Sequence, residues 1–349
     1  MSLEFRHIAH AYGHNRALND ISFTAPQGEI TCLLGSSGCG KSTLLNLAAG
    51  LLPVQQGSVY LNGELLADEG TSPPPELRPV GLVFQDGALF PHMTIAQNVA
   101  FGLHKDQRSD AVIEQWLDRV GLASLGGRYP HELSGGQQQR AALARAMAPQ
   151  PQVLLMDEPF ASVDIVLRRS LRRECRALLR EQGATVILVT HDPEEALDIG
   201  DRIAVMDRGE IVQFGTPHDL YDAPSSASVG AIFGGAQVIA AERVEGGLAT
   251  AFGTWPLTAL AGDPPDSLHL ELLLRADGFE LSAGKGENGL IVRDIRRKGA
   301  LYQVVLANAD GVDLTVEITD ASGFAIGESV QALPRRASVL AFPAAPGAD

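Results

Sequence analysis

Gly35-Ser36-Ser37-Gly38-Cys39-Gly40-Lys41-Ser42-Thr43 is the stretch on which the fold turns. It fits the phosphate-binding pattern G-x-x-x-x-G-K-[ST] and stands where such a loop must. The apolar run Glu29-Ile-Thr-Cys-Leu-Leu precedes it, and the helical run Thr43-Leu-Leu-Asn-Leu-Ala-Ala follows. Glycines let backbone N–H groups close around phosphate oxygens, and the helix start adds partial positive charge. Lys41 is spaced to reach β- and γ-phosphates, and the Ser42 hydroxyl to ligate Mg²⁺. A ligand-free glycine-rich turn is the alternative, and the strand–loop–helix setting argues against it.

Outward from this loop, further continuous apolar runs follow at Val80-Gly-Leu-Val-Phe, Val153-Leu-Leu-Met and Ala184-Thr-Val-Ile-Leu-Val-Thr, separated by helical patterns. Such runs predict a parallel sheet covered on both faces, hence an α/β class. Leu3 to Tyr12 and Ser58-Val-Tyr-Leu-Asn-Gly predict a smaller antiparallel sheet. The Val153 run ends in Asp157-Glu158. Asp157 is placed to hold a magnesium shell, and Glu158 to polarise water toward a γ-phosphate. Near residue 235 the texture changes. Ser225-Ser-Ala-Ser and Gly234-Gly read as a joint, so the expected domains are 1–235 and 236–349. Short strands at Leu268–Leu274, Gly289–Ile295, Leu301–Ala307, Val312–Ile318 and Ser329–Leu333 predict a small β-barrel or sandwich beyond it.

The 349 residues carry 45% hydrophobic and 20% charged residues, in the globular range, with a formal net charge of −15. That charge argues against nucleic acid or an anionic lipid surface as partner. No apolar run reaches the roughly 18 residues of a membrane span, and the first residues lack a signal-peptide layout, so a cytoplasmic protein is expected. Cys32, Cys39 and Cys175 form neither a metal-type spacing nor an even framework and read as reduced thiols.

A phosphate loop leaves several NTPase classes open. Leu133-Ser134-Gly135-Gly136-Gln137-Gln-Gln-Arg decides among them, because it resembles the signature of ABC ATPases. It reads as a second glycine-rich helix start, and hence a second anion site. Other positions resemble the same superfamily one by one. Tyr12 resembles the aromatic that stacks on adenine. Gln85, after Gly81-Leu-Val-Phe, resembles the Q-loop glutamine that touches Mg²⁺ and the lytic water. His191, after Val186-Ile-Leu-Val-Thr, resembles the switch histidine, and Asp164 the D-loop aspartate. The family usually reads Ser-Ala-Leu-Asp there, whereas this chain reads Ala161-Ser-Val-Asp.

The resemblance covers about Leu3 to Phe233. It implies a P-loop NTPase of ABC type, with a parallel core sheet, an antiparallel β subdomain and a helical signature subdomain. It further implies a homodimer with two ATPs, each between one copy's P-loop and the other's signature, driving two membrane permease subunits. The tail resembles the OB-like β domain of maltose, polyamine, sulfate and ferric-iron importer ATPases. Such a subunit sits on the cytoplasmic face of the inner membrane, supplied through the permease by a solute-binding protein. Asp86-Gly87-Ala88 and the Gly127–Ala146 stretch look most like the ferric-iron group. The rival class is a soluble ABC protein acting on ribosomes or nucleic acid. It is disfavoured by the single motif set, the lack of sustained heptads, and an acidic tail. Lastly, Leu167 to Arg180 is arginine-rich. A lipid- or nucleic-acid-binding stripe and a solvated amphipathic face both fit it, and the acidic total favours the second.

Overall fold

A computed structural model describes residues 2–103, 106–161, 163–284 and 289–344. They form two compact units, Met1–Leu220 and Tyr221–Asp349. The first unit opens with antiparallel strands β1 (Leu3–Tyr12) and β2 (Asn15–Ala25). After the buried strand β3 (Ile30–Gly35) comes helix α1 (Lys41–Ala49), then β4 (Gln56–Leu61), β5 (Glu64–Asp68) and β6 (Val80–Val83). The helices α2 (Ile95–Gly102), α3 (Asp110–Arg119) and α4 (Gly135–Met147) follow. Then come β7 (Val153–Asp157), α5 (Ile165–Glu181), β8 (Thr185–Thr190), α6 (Pro193–Ile199), β9 (Arg202–Asp207), β10 (Glu210–Gly215) and α7 (Pro217–Asp222).

Two sheets result. One is antiparallel, in the order β2-β1-β4-β5. The other runs β10-β9-β3-β8-β7-β6, parallel from β9 to β6, with β10 antiparallel at its edge. Every residue of β8 is buried, as befits a strand covered on both faces. Alternate residues serve different layers. Leu33, Val153, Leu155, Ile187, Val189, Ala204 and Met206 share one core with α1 and the antiparallel sheet. Cys32 and Leu34 point the other way, and α6 packs on that strand as well as on β8. The antiparallel pairing of the Leu3 and Ser58 segments matches expectation. β2 and β10 carry mixed patterns, and β9 has a buried centre of only four residues; the sequence predicts none of the three.

Buried Arg78, in the loop after the proline run, donates to Leu47 O at 2.7 Å and Ala48 O at 3.0 Å. It thereby satisfies carbonyls at the end of α1, where the helix's partial charge is negative. Burial lowers its own pKa.

In the second unit, α8 (Ala227–Ile232) leads into β11 (Gln237–Val244), β12 (Gly247–Thr250), β13 (Gly253–Trp255) and β14 (His269–Leu274). β15 (Phe279–Ala283), β16 (Leu290–Lys298), β17 (Leu301–Ala307), β18 (Asp313–Ile318), β19 (Ser329–Pro334) and β20 (Val339–Pro343) complete it. Two five-stranded antiparallel sheets, β13-β12-β11-β14-β20 and β15-β19-β16-β17-β18, share one apolar core built around Trp255, Phe279, Leu272 and Leu306. The serine-rich stretch that reads as a joint is ordered as α8. Ser226 Oγ accepts from Val229 N at 3.3 Å, and Arg275 donates to Gly230 O at 3.3 Å, to Phe233 O and to Tyr221 O at 2.8 Å.

The arginine-rich segment departs from the solvated face expected of it. Arg172 of α5 is 5% exposed and faces three carboxylates: Asp192, Glu195 at 3.2 Å and Asp198 at 3.6 Å. Arg176 at 3.1 Å and Arg180 both reach Asp201. Three arginines of one helix thus bind acids that follow β8, pairs invisible to a reading of one helix at a time. Burial raises Glu195 to about 7, against the pull of Arg172, with the Asp192 charge adding to the rise. Its folded pKa lies above its unfolded value, so its contribution to stability is full below pH 4.5 and is lost as pH rises through about 7. Glu195→Gln should therefore flatten the fall in unfolding free energy between pH 5 and pH 8, by up to about 3 kcal/mol. Urea melts at both pH values would show it, and an unchanged slope would remove Glu195 as its source.

Candidate functional site

Four parallel strands lie side by side, β3-β8-β7-β6, and each carries a sequence-predicted residue or loop just past its carboxyl end. Gly35 closes β3 and opens the phosphate loop, His191 follows β8, Asp157 and Glu158 end β7, and Gln85 stands two residues beyond β6. Parallel strands present their carboxyl ends at one edge, so segments up to 156 positions apart in the chain converge there (35 to 191).

The loop is shaped by contacts that exclude larger residues. Gly40 holds φ 107° at the start of α1, and a Cβ there would lie 2.5 Å from Ala17 O. A Cβ on Gly35 would lie 2.3 Å from Met206 O. Lys41, only 5% exposed, donates from Nζ to Gly35 O at 2.8 Å and Ser36 O at 2.9 Å, so its ammonium is held within the curve of the loop. Cys39 Sγ lies 3.7 Å from the same Nζ. Tyr12, at the end of β1, is 51% exposed, and its hydroxyl stands 3.5 Å from Thr43 Oγ1. The structure thus brings an exposed aromatic face beside the loop from 31 residues upstream.

Ser42 Oγ donates to Asp157 Oδ1 at 3.3 Å. Burial pushes the Asp157 carboxyl above the usual carboxylate range, the Ser42 bond pulls it partly back, and the Glu158 charge adds to the rise. A half-buried carboxylate beside a hydroxyl and a second carboxylate is a hard-oxygen donor set short of positive charge, the kind that suits Mg²⁺. Glu158 sits at φ 41°, a left-handed conformation that costs a non-glycine residue roughly 1–2 kcal/mol. Its amide donates to Val189 O at 3.0 Å, and its Oε1 lies 3.0 Å from His191 Nδ1. The backbone is thus tied to β8, and the carboxylate is in contact with the imidazole. Strain of this kind concentrates at functional sites.

The signature segment lies elsewhere in the unit. Ser134 is the N-cap of α4. Its Oγ accepts from Gln137 N at 3.4 Å, while Gln137 Oε1 accepts from Ser134 N at 3.0 Å. This reciprocal box leaves exposed Gly135 and half-buried Gly136 in the first turn, at the positive end of a 13-residue helix. α4 packs on α2, α3, α5 and β6, whereas α1 packs on β2, β3, β6, β7 and β8. Asp164 stands before α5, its carbonyl accepting from Arg168 N at 2.8 Å. Arg168 also donates to Val163 O at 3.1 Å. Ser162, part of the exchanged Ala-Ser order, lies outside the described residues.

Two arginines here, Arg172 of the arginine-rich segment and Arg145 of the Gly127–Ala146 stretch, have partners that the sequence does not predict. Arg172 ties α5 to Asp192, the residue after His191. Asp192 in turn caps α6 by accepting from Glu194 N at 3.0 Å. Arg145 of α4 donates to the Gln85 loop, at Gly87 O (3.0 Å) and Ala88 O (2.7 Å). The sequence offered no signal for either, since an arginine on a helix gives no sign of its partner.

Comparison with known proteins gives the family. A family model described as "ABC transporter" matches residues 18–161. An Fe(3+) ions import ATP-binding protein, FbpC, of Pseudomonas fluorescens is 41% identical over 325 residues, 91% of each chain. A sulfate/thiosulfate import ATP-binding protein, CysA, of Caulobacter vibrioides is 39% identical over 349 residues, 98% of this chain and 100% of the relative. Among solved structures, a nucleotide-free ATP-binding cassette from an ABC transporter is 26% identical with a TM-score of 0.55, covering 62% of this chain and 92% of its own. The phosphate loop, the signature helix and near full-length agreement with import ATP-binding proteins place the chain in one family: it belongs to the ATP-binding proteins of ABC transporters, of the importer type.

Proposed function

We propose that this ATPase subunit works as a homodimer that clasps two ATP molecules head to tail and drives inward movement of ferric iron through two permease subunits fed by a solute-binding protein. The observation that carries the ATPase chemistry is the Glu158–His191 pair, 3.0 Å apart, at the strand edge that also holds Lys41. In this reading Lys41 and the loop amides from Gly35 to Thr43 bind the β- and γ-phosphates, and Tyr12 stacks on the base. Base stacking of this kind contributes roughly 1–3 kcal/mol. Ser42, Asp157 and Gln85 would hold Mg²⁺, which when bound neutralises charge on the phosphate oxygens. Glu158 accepts the proton of the attacking water at its carboxylate. His191 donates from Nδ1 to the same carboxylate and keeps it turned toward the water. Ser134, Gly135, Gly136 and Gln137 meet the partner's γ-phosphate, with Asp164 at the seam. The packing of α1 and α4 on largely different elements, with only β6 in common, supports an arrangement in which signature and loop complete a site in trans.

The iron reading rests on Asp86-Gly87-Ala88 and on the relative in Pseudomonas fluorescens. Sulfate is a second reading, supported by a sulfate/thiosulfate import ATP-binding protein of Chromobacterium violaceum, 45% identical over 273 residues.

Glu158→Gln should slow hydrolysis roughly 10²–10⁴-fold, the worth of a general base, while ATP still binds and an ATP-loaded dimer accumulates. Turnover near normal would take Glu158 out of that role. Ser134→Arg should leave ATP affinity intact and abolish hydrolysis, and mixing it with Lys41→Ala should restore at most one composite site per dimer. Full activity from a monomer of either variant contradicts the trans arrangement. For the solute, vesicles reconstituted with the cognate permease and binding protein should take up ferric iron in preference to sulfate, polyamine or maltose. Uptake of sulfate without iron would replace the first reading by the second.

A further inference from the structure

We infer that Arg145 is a positioning residue that fastens the Gln85 loop to the signature helix, so that Gln85 and Ser134 move as one body. This rests on the ATPase reading above, in which Gln85 serves the copy's own Mg²⁺ site and Ser134 the γ-phosphate held by the partner copy.

The loop is itself a closed turn. Gly87 N donates to Phe84 O at 2.9 Å, and Ala88 N to Asp86 Oδ1 at 3.1 Å, with Gln85 inside. Gly87 and Ala88 are both left-handed, at φ 68° and 41°, and Ala88 gains no relief from a missing Cβ. A bidentate guanidinium bridging both carbonyls offsets that cost, since hydrogen bonds from a charged donor are about twice as strong as neutral ones. The Arg145 guanidinium also lies 5.3 Å from the Phe90 ring centre. Gly87 is close to α4, where a Cβ on it would stand 3.5 Å from Ala142 Cβ.

The far side of the loop is tied to the same helices. Fully buried Asn98 of α2 accepts from Phe90 N at 2.8 Å and donates to Phe90 O, Met93 O and Thr94 O at 3.0–3.2 Å. α2 packs on α4, and Gln138 donates to Pro130 O at 2.9 Å and Leu133 O at 3.1 Å, joining the signature's approach to the helix. Ser134 and Arg145 lie 11 residues apart, a rigid rod of about 16 Å at helical rise. Displacement of the signature is therefore carried to Gln85 without passing through the β-sheet.

The test compares the full chain with Arg145→Met and Arg145→Lys. In Arg145→Met, backbone amides of residues 84–90 should exchange hydrogen at least tenfold faster, while those of β3 and β7 stay protected. ATP affinity should stay within threefold, the turnover rate should fall at least tenfold, and the ATP-trapped dimer should still form in a Glu158→Gln background. Arg145→Lys, which keeps a charged donor, should recover loop protection and turnover together. Faster exchange with normal turnover would overturn the inference. So would parallel loss of dimer, ATP affinity and melting temperature, which marks a folding role. Recovery of loop protection without turnover, or the reverse, would also overturn it. A wild-type chain with no ATPase activity would sink the parent reading, and the exchange data would still decide whether the clamp exists.

Discussion

Everything in the first unit depends on the parallel pairing of β3, β8, β7 and β6. Parallel pairing puts every carboxyl end at one edge, and the hydrogen-bond register fixes their heights. Leu34 is level with Thr190, and Met156 with Leu188. The glycine-rich loop, Asp157, Glu158 and His191 can then lie along one edge of the sheet while standing far apart in sequence, with Ser42 3.3 Å from Asp157 and Glu158 3.0 Å from His191. The same pairing lets Glu158 N bond Val189 O, a tie that supports its left-handed backbone.

Helix ends supply the second layer of design. α1 opens with its amino end on the glycine-rich loop, where the proposed phosphate site lies, and Arg78 caps its carboxyl end. α4 offers a second amino end, finished by the Ser134–Gln137 box. The two helices pack on largely different neighbours. On the proposed reading each copy would hold two half-sites, and closing of a dimer would be the step that ATP controls.

Arginines join these layers. Arg145 links the Gln85 loop to α4, Arg168 links the approach to Asp164 with α5, and Arg172 links α5 to the residue after His191. Each binds backbone carbonyls or buried carboxylates, partners for which a planar, permanently charged donor fork is suited. The segments that would sense the γ-phosphate are therefore each tied to a helix rather than left as free loops.

The sequence by itself determined the family and the order of its motifs. A Gly-rich loop needs no tertiary knowledge to be read, because its glycines and Lys41 lie within one short stretch. The apolar runs of β3, β7 and β8 are legible because both faces are buried. Strands with mixed faces, such as β2 and β11, resemble loops over a few residues, whereas the buried centre of β9, Ile203 to Met206, is a short run between charged residues. The arginine-rich helix shows the limit most clearly. Its charges suggest a solvated face, yet Arg172 is buried against Asp192, Glu195 and Asp198. Whether a charge meets water or a carboxylate is settled by what packs across from it. Composition and periodicity describe one element at a time, so the pairing of Arg172, the clamp of Arg145 and the meeting of Glu158 with His191 were decided by the tertiary structure alone.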